Sequence, residues 1–354
     1  MRTSKWQPLL AAILAGGLLT SCSSTSDNDA KAAGADARNP VIGASEGSAD
    51  GPSAAPSALA AGMGSDVGTD GTFPRTVTHF KGSTALKAAP TRVAVLSTGQ
   101  LDDLLSLGLV PAATTRAGNA GLVPDYLADA FPQYKAKLSA MTDAGTRQAP
   151  NLETLAAAKP DLILANDSLG DLYPKLSKIA PTVVTAGNGI NWKRDLLLVG
   201  DAVGKGQEAR KLVDTIASDA ADFGKQGGGL GSTTVSMVRF TPDRTRMFGV
   251  SSFTGSIAVD MGLGRPKSQQ FRAISEDIGA ESIDTADGDW IFYSVQGDAA
   301  KTDAASVVAG PLWKSMKAVT TGHAVKVDDD PWYLNAGPTA ARLVVRQLAE
   351  HLGK

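Results

Sequence analysis

The sequence predicts an α/β fold of two lobes, each with a mostly parallel sheet, joined by one long helix. From residue 73 onward apolar strands alternate with amphipathic helices, the strands stop between residues 192 and 226, and the alternation resumes after a glycine-rich break. Strand–helix alternation is typical of parallel sheets that carry helices on their faces. A single continuous sheet is the alternative that this pattern leaves open.

The first lobe is predicted over residues 73–200. Its strands are short apolar runs, and its helices end at Gly or Pro, as QLDDLLSLG does at Gly108 and ETLAAAK does before Pro160. The predicted strands are, in chain order, PRTVTHF, RVAVL, VPAATT, DLILAND and PTVVT, and the predicted helices are QLDDLLSLG, ETLAAAK and GDLYPKLSKIA.

The linking helix is predicted over residues 201–228 and the second lobe over residues 229–354. In GQEARKLVDTIASDAADFGKQ, apolar residues recur at helical spacing, which indicates one buried helix face. After the break GGGLG the strands TVSMVRF, DWIFYSV and HAVKVD alternate with helices, and TAARLVVRQLAEHLG is predicted as the last helix.

The N-terminus has the pattern of a secretory signal over residues 1–21. Arg2 and Lys5 precede an apolar run that is too short for an ordinary spanning helix, and the residues before Cys22 resemble a bacterial lipobox. We therefore expect lipidation at Cys22, the only cysteine of the chain. Residues 22–72 are rich in Ala, Gly, Ser and Asp, so they are predicted to form a disordered tether.

Composition and motifs argue against several function classes. A net charge of -2 and a sequence pI of about 6.0 provide no basic surface for nucleic acid. The three histidines, His79, His323 and His351, are too scattered in the sequence to predict a metal site. No His, Ser or Cys lies beside a catalytic partner at a strand end, so these residues give no support to an enzyme, and none is expected.

Ligands of open α/β sheets bind at the carboxyl ends of the strands, and this rule selects the candidate site residues. Arg239 is the strongest candidate, because it shares the strand face of Val235 and Met237 and a buried guanidinium needs an acceptor. Phe240 is expected in the core. The alternatives are packing against the long helix for Trp192, a core position for Tyr293 and an ordinary solvated loop position for Arg116. The full set is Arg116, Tyr173, Trp192, Arg239, Tyr293, Trp332 and Tyr333.

Five stretches in order resemble the iron-siderophore substrate-binding lipoproteins of bacterial ABC importers. They are RVAVLSTGQLDDLLSLGLVPAAT, PNLETLAAAKPDLILAND, KLSKIAPTVV, VSMVRFTPDRTRMFGVSSFTGSIAVDMGLGRP, and ESIDTADGDWIFYSV with PLWKSMKAVTTGHAVKVD. The resemblance implies a rigid linking helix, a ligand cleft between the lobes and a ferric siderophore as ligand, with no cofactor and no metal ligand from the protein. It also implies a monomer, lipid-anchored on the extracytoplasmic face of the cell membrane, that delivers its ligand to a permease with a cytoplasmic ATPase.

The same resemblance implies that one glutamate on each lobe docks onto the permease. The matching positions are Glu153 in PNLETL and Glu281 in GAESI, with Glu276 as a rival for the second. Helix-start electrostatics is the alternative reason for an acid at these places. Two other functions stay open on this scaffold: binding of haem or a corrinoid, with Tyr173 or Tyr333 as axial ligand, and a secreted enzyme or interaction module.

Overall fold

A three-stranded antiparallel sheet opens the described part of the chain. The computed structural model describes residues 55–117, 120–226 and 230–353. Its first strands are β1 (Gly64–Ser65), β2 (Arg75–His79) and β3 (Gly82–Leu86), which pair in the order β1-β2-β3. The sequence predicted β2 from its alternating apolar residues, but not the two strands beside it.

The first large sheet has six strands in the order β7-β6-β5-β4-β8-β9 and is parallel except for β7. Its strands match the predicted RVAVL, VPAATT, DLILAND and PTVVT, with two short additions after β5. The elements in chain order are β4 (Val93–Val95), α1 (Thr98–Ser106), β5 (Ala113–Arg116), α2 (Asp125–Ala130), α3 (Lys135–Ser139), β6 (Thr142–Thr146), β7 (Ala149–Pro150), α4 (Leu152–Ala157), β8 (Leu162–Asn166), α5 (Tyr173–Ile179) and β9 (Thr182–Thr185).

Two helices follow, and the second joins the lobes. They are α6 (Trp192–Ala202) and α7 (Gly206–Gln226), and α7 covers the stretch where the sequence predicted a helix with one apolar face. Of that face, the small and branched residues Ala209, Val213, Ile216 and Ala220 are all at most 1% exposed. The linking helix is therefore packed along its length, as its spacing predicted.

The second large sheet has five strands in the order β12-β11-β10-β13-β14. Strands β10, β13 and β14 pair parallel, while β11 pairs antiparallel with both of its neighbours, β10 and β12. This sheet is therefore less parallel than the pattern predicted. The elements are β10 (Val235–Phe240), β11 (Thr245–Phe248), α8 (Phe253–Asp260), β12 (Ser275–Ile278), β13 (Trp290–Val295), α9 (Ala304–Ala309), α10 (Pro311–Ser315), α11 (Lys317–Thr320), β14 (Ala324–Lys326) and α12 (Pro338–Leu352).

A polar contact ties the first lobe to the last helix. The carboxylate of Asp102, on α1, accepts hydrogen bonds from the backbone N–H of Thr339 at 3.0 Å and of Ala340 at 3.1 Å, at the start of α12. Those N–H groups have no partner inside their own helix, so an acid from another lobe stabilises this end. One large apolar core, which contains residues of α1, α6, α7 and α12, continues across the same junction.

Residues 55–72 correct the predicted boundary of the folded chain. Asp70 caps α7, since its carboxylate accepts from the backbone N–H of Gln207 at 3.0 Å. Ser65 Oγ and Arg75 Nη1 both donate to Asp201 near the end of α6, at 2.7 Å and 3.2 Å. The prediction of a disordered segment up to residue 72 is wrong for residues 55–72, because hydrogen bonds to helix ends hold this apolar-poor stretch. The predicted signal segment and Cys22 lie outside the described residues.

Candidate functional site

The carboxyl edges of the two large sheets face each other across the lobe junction. On one side α1 starts directly after β4, and a Cβ added at Gly99 would lie 2.8 Å from the carbonyl oxygen of Ala336. On the other side the loop after β9 meets α8, where a Cβ at Gly189 would lie 3.1 Å from the Cβ of Phe253. Such close approaches need glycine. Loops that follow parallel strands therefore border the space between the lobes.

Arg239 lies at the end of β10 and has its acceptor inside the protein. Its Nε donates to Asp329 Oδ1 at 2.7 Å and its Nη2 donates to Asp329 Oδ2 at 2.6 Å, a two-pronged ion pair. Ser294 Oγ also donates to Asp329 Oδ1, at 2.6 Å. The guanidinium side chain is only 7% exposed. The three residues come from the ends of β10 and β13 and from the turn after β14, which the parallel pairing brings together.

Arg246 is a further candidate site residue, which the sequence analysis did not select. It lies on β11 directly opposite Arg239 in the antiparallel register, so both side chains project from the same face of the sheet. Its Nη2 contacts Ser275 Oγ, and its guanidinium carbon lies 5.5 Å from the centre of the Phe248 ring. The alternation of TRMF, with Arg246 and Phe248 on one face, was the signal that could have found it.

Arg116, the candidate of the first lobe, ends β5 at the facing edge. It forms an ion pair with Asp143 of β6, and its side chain is 41% exposed. The register of β5 against β6 shifts just before it, between Thr114 and Arg116. The side chain therefore lies partly exposed at an irregular strand end, and its contact with a ligand stays a prediction.

Trp192 and Trp332 are core residues in this structure. Trp192 is 1% exposed and its Nε1 donates to Ser256 Oγ at 3.2 Å. Trp332 is fully buried and its ring stacks on Phe292 at 5.0 Å between centroids. Trp332 Nε1 likewise donates to Gln347 Oε1 at 2.5 Å, so each indole has its apolar contacts and its hydrogen-bond acceptor within the protein. The expectation that these two residues contact the ligand is not supported by their burial.

The three candidate tyrosines, Tyr173, Tyr293 and Tyr333, have different surroundings. Tyr293 lies on the opposite face of the second sheet from Arg239, 5.2 Å from the ring of Trp313, and burial raises its pKa. Tyr333 donates its hydroxyl to the carbonyl of Phe292 at 2.7 Å, and burial raises its pKa strongly. Tyr173, half-buried at the start of α5, packs edge-on against His79. Phe240 is fully buried, as predicted.

An acidic turn follows β14 at the same sheet edge. Asp328, Asp329 and Asp330 are consecutive, and Asp330 begins a π-helical turn over Asp330–Leu334. Burial, reinforced by Asp328, Asp329 and Asp125 of α2, raises the pKa of Asp330 to about 6, and Arg239 acts in the opposite direction. Asp125 belongs to the first lobe, so both lobes contribute acids here. The strand-end rule that selected Trp332 could have selected this run as well.

The predicted docking glutamates are exposed and lie near helix starts. Glu153 is in the first turn of α4, whose Asn151 side chain accepts from the backbone N–H of Thr154 at 3.0 Å. Glu281 is in the first turn of the 3-10 helix Ala280–Ala286, and Glu276 is an exposed residue of β12. Both docking candidates are accessible to a partner, and their docking role stays a prediction.

Within residues 55–117, 120–226 and 230–353 no cluster of three or more His, Cys, Asp or Glu side chains is placed to hold a metal ion. Over the same ranges, none of the helices combines the length and apolar character that a bilayer crossing requires.

A cavity of about 680 Å³ lies away from the facing edges, between residues 59–70 and the α6–α7 pair, and contains none of the candidate ligand residues.

Comparison with known proteins identifies the family. The sequence model that describes the periplasmic binding protein family matches residues 93–331, and this range includes both large sheets. The chain belongs to the periplasmic binding protein family. The two-lobed α/β fold that the sequence predicted is thereby confirmed.

Named relatives of this periplasmic binding protein cover most of its length. The probable siderophore-binding lipoprotein YfiY of Bacillus subtilis is 31% identical over 293 residues, which is 79% of this chain and 88% of that protein. The Fe(3+) dicitrate-binding periplasmic protein FecB of Escherichia coli is 26% identical over 283 residues, 77% of this chain and 88% of that protein. The crystal structure of Staphylococcus aureus SirA complexed with staphyloferrin B has a TM-score of 0.70 at 29% identity, over 78% of this chain and 98% of that one.

Proposed function

We propose that this periplasmic binding protein captures a ferric siderophore between its lobes and delivers it to an ABC importer. The observation that carries the proposal is the set of arginines at the facing sheet edges, with Arg116 on the first lobe and Arg239 beside Arg246 on the second. The relative YfiY, named as siderophore-binding, supports the same ligand class.

The chemistry of a ferric siderophore fits these residues. The chelate surrounds its iron with its own oxygen atoms, so the protein supplies no metal ligand and recognises the oxygens at the surface of the chelate. Arginine presents several donors in a fixed plane, which suits such oxygens. Arg239 is held in one orientation by Asp329, so its remaining N–H groups are aimed before the ligand arrives.

Haem ligation by Tyr333 has less support than siderophore binding. An axial tyrosine binds iron as its phenolate, but this hydroxyl already donates to a backbone carbonyl and burial raises its pKa. The side chains at the facing edges suit binding of a bulky chelate, and the proposed role of the protein is binding without catalysis.

Anchoring and delivery complete the proposal. The lipobox-like residues before Cys22 support a lipid anchor on the extracytoplasmic face of the membrane. The exposed acids Glu153 and Glu281, one on each lobe, would meet arginines of the permease. In this arrangement the partners are the permease with its ATPase and the ferric siderophore, and the binding protein acts as a monomer.

A fluorescence titration tests the ligand. The full chain with Cys22→Ser, which removes the lipidation site, would be titrated with iron-loaded and iron-free hydroxamate, catecholate and citrate chelators while tryptophan emission is followed. We expect quenching by at least one ferric chelate and weaker quenching by its iron-free form. Absence of quenching by every ferric chelate, checked by calorimetry, would refute the proposed function.

A further inference from the structure

The positive charge of Arg239 is cancelled within the protein. Its guanidinium shares two short hydrogen bonds with the carboxylate of Asp329, and both side chains are largely buried, at 7% and 12% exposed. Ser294 holds the same carboxylate from the neighbouring strand. The pair therefore offers a ligand directed N–H groups but no net charge. On the first lobe the guanidinium of Arg116 is likewise matched, by Asp143.

Further acids lie beside this neutral pair at the same sheet edge. Asp330 is half-buried directly after Asp329, and Asp328 is exposed directly before it. Asp125 of the first lobe is close enough to act electrostatically on Asp330, as the raised pKa of Asp330 reflects. The acidic turn and Asp125 of the first lobe thus add negative charge next to the donors of Arg239, while Arg246, opposite Arg239 on β11, adds a positive charge on the same sheet face.

The overall charge of a ferric chelate depends on its donor groups. Three hydroxamates, each with a single negative charge, balance the triple charge of ferric iron, and the complex is neutral. Catecholates and α-hydroxycarboxylates carry two negative charges per donor pair, so their complexes with iron are strongly anionic. An anionic complex beside the acidic turn would meet like charge, which proteins use to reject unwanted partners.

We propose that Asp329 and Asp330 are specificity-determining residues, which make the cleft select a ferric chelate of zero or positive overall charge, such as a trihydroxamate, over a polyanionic one. The inference rests on the proposed function and deepens it. Asp329 acts by neutralising and orienting Arg239, while Asp330 acts by its own negative charge at the junction.

A charge series on one iron complex separates charge from shape. Ferrioxamine B is a ferric trihydroxamate with a free ammonium group; acetylation of that amine gives a neutral complex and succinylation an anionic one, with the iron coordination unchanged. For the full chain with Cys22→Ser, we expect the ammonium form to bind about tenfold or more tightly than the succinylated form. Raising the salt concentration should reduce this ratio, because screening weakens charge discrimination.

Two variants test the named residues. Asp329→Asn and Asp330→Asn should each reduce the ratio of the two affinities by about threefold or more. Asp219→Asn, which removes an exposed acid of α7, is the charge-matched control and should keep the wild-type ratio. Asp329→Asn also weakens the support of Arg239, so melting curves accompany each titration and Asp330→Asn tests the inference if the first variant fails to fold.

The outcomes distinguish the two proposals. The charge inference is overturned, with the proposed function intact, if the succinylated form binds as tightly as the ammonium form. It is also overturned if a ferric tris-catecholate or ferric citrate binds and ferrioxamine B does not, or if the ratio is unchanged in the folded variants. If no ferric chelate of any class binds, both proposals fall together.

Discussion

Raising the pH from about 5 to about 8 should destabilise the protein through one buried carboxylate, that of Asp195 on α6. This side chain accepts hydrogen bonds from the backbone N–H of Ala186 at 2.9 Å and of Gly187 at 2.8 Å, in the loop that leaves β9. Burial raises its pKa to about 7, against the opposing effects of those two bonds and of Arg194. An unfolded chain would titrate this group near its ordinary pKa of about 3.9.

The direction and size of this change in the free energy of unfolding follow from the linkage between protonation and folding. The folded-state pKa is above the unfolded one, so the contribution to stability is complete below the ordinary pKa and is lost as the pH rises through about 7. A shift of about three pKa units corresponds to about 4 kcal/mol in total. Integrated from about pH 5 to about pH 8, the loss in the free energy of unfolding is about 3 kcal/mol.

Urea unfolding of wild type and Asp195→Asn at the two pH values measures this directly. Asparagine keeps one acceptor for the loop but does not titrate, so the pH dependence of the variant should be smaller than that of wild type by about 3 kcal/mol. Burial also raises the pKa values of Asp102 and Asp103, which contribute in the same direction; the charge of Asp195 adds to the raised pKa of Asp103, so Asp195→Asn removes that part as well. Asp219→Asn, at an exposed position of α7, should keep the wild-type dependence of the free energy of unfolding on pH. Equal pH dependence in wild type and Asp195→Asn would refute the reasoning.

Two further predictions concern the site and the docking surfaces. Arg239→Ala leaves the buried carboxylate of Asp329 without a counter-charge, so we expect the free energy of unfolding, measured in urea, to fall by about 3–5 kcal/mol. The variant should also bind ferric chelates more weakly. An unchanged free energy of unfolding would contradict a stabilising ion pair. Combined replacement of Glu153 and Glu281 by Ala should abolish iron uptake by cells while the purified protein keeps its chelate affinity, and Glu276→Ala should spare both. A loss of affinity in the double variant would contradict a docking role.

The sequence was a good guide to the strands of the two large sheets. The runs VAVL after Arg92 and TVSMV before Arg239 contain no charged residue, and a short apolar segment between helices has few alternatives to a buried parallel strand. The strand β11 and the edge strand β12 were not predicted, because Arg246, Glu276 and Asp277 interrupt their apolar pattern. A largely exposed edge strand such as β12 carries little periodic signal.

The site was predicted less completely, since contacts between distant residues decide which side chains remain available. Arg239 and its partner Asp329 are 90 residues apart, and no local pattern pairs them. Trp192 was expected at a ligand, but its indole N–H bonds to Ser256, 64 residues away, and its ring is buried against α8. The need of Arg239 for an acceptor was predictable from burial; the identity of the acceptor depended on the fold.

The cap that Asp70 places on α7 fixes where the chain enters the described fold. Residues 57–70 lie along α6 and α7, through hydrogen bonds from Arg194 and Arg210 to the carbonyls of Ala58 and Ser57 as well as through that cap. The lipid anchor proposed above would therefore connect to the folded part beside the helix that joins the lobes, and not at the sheet edges that carry Arg116 and Arg239.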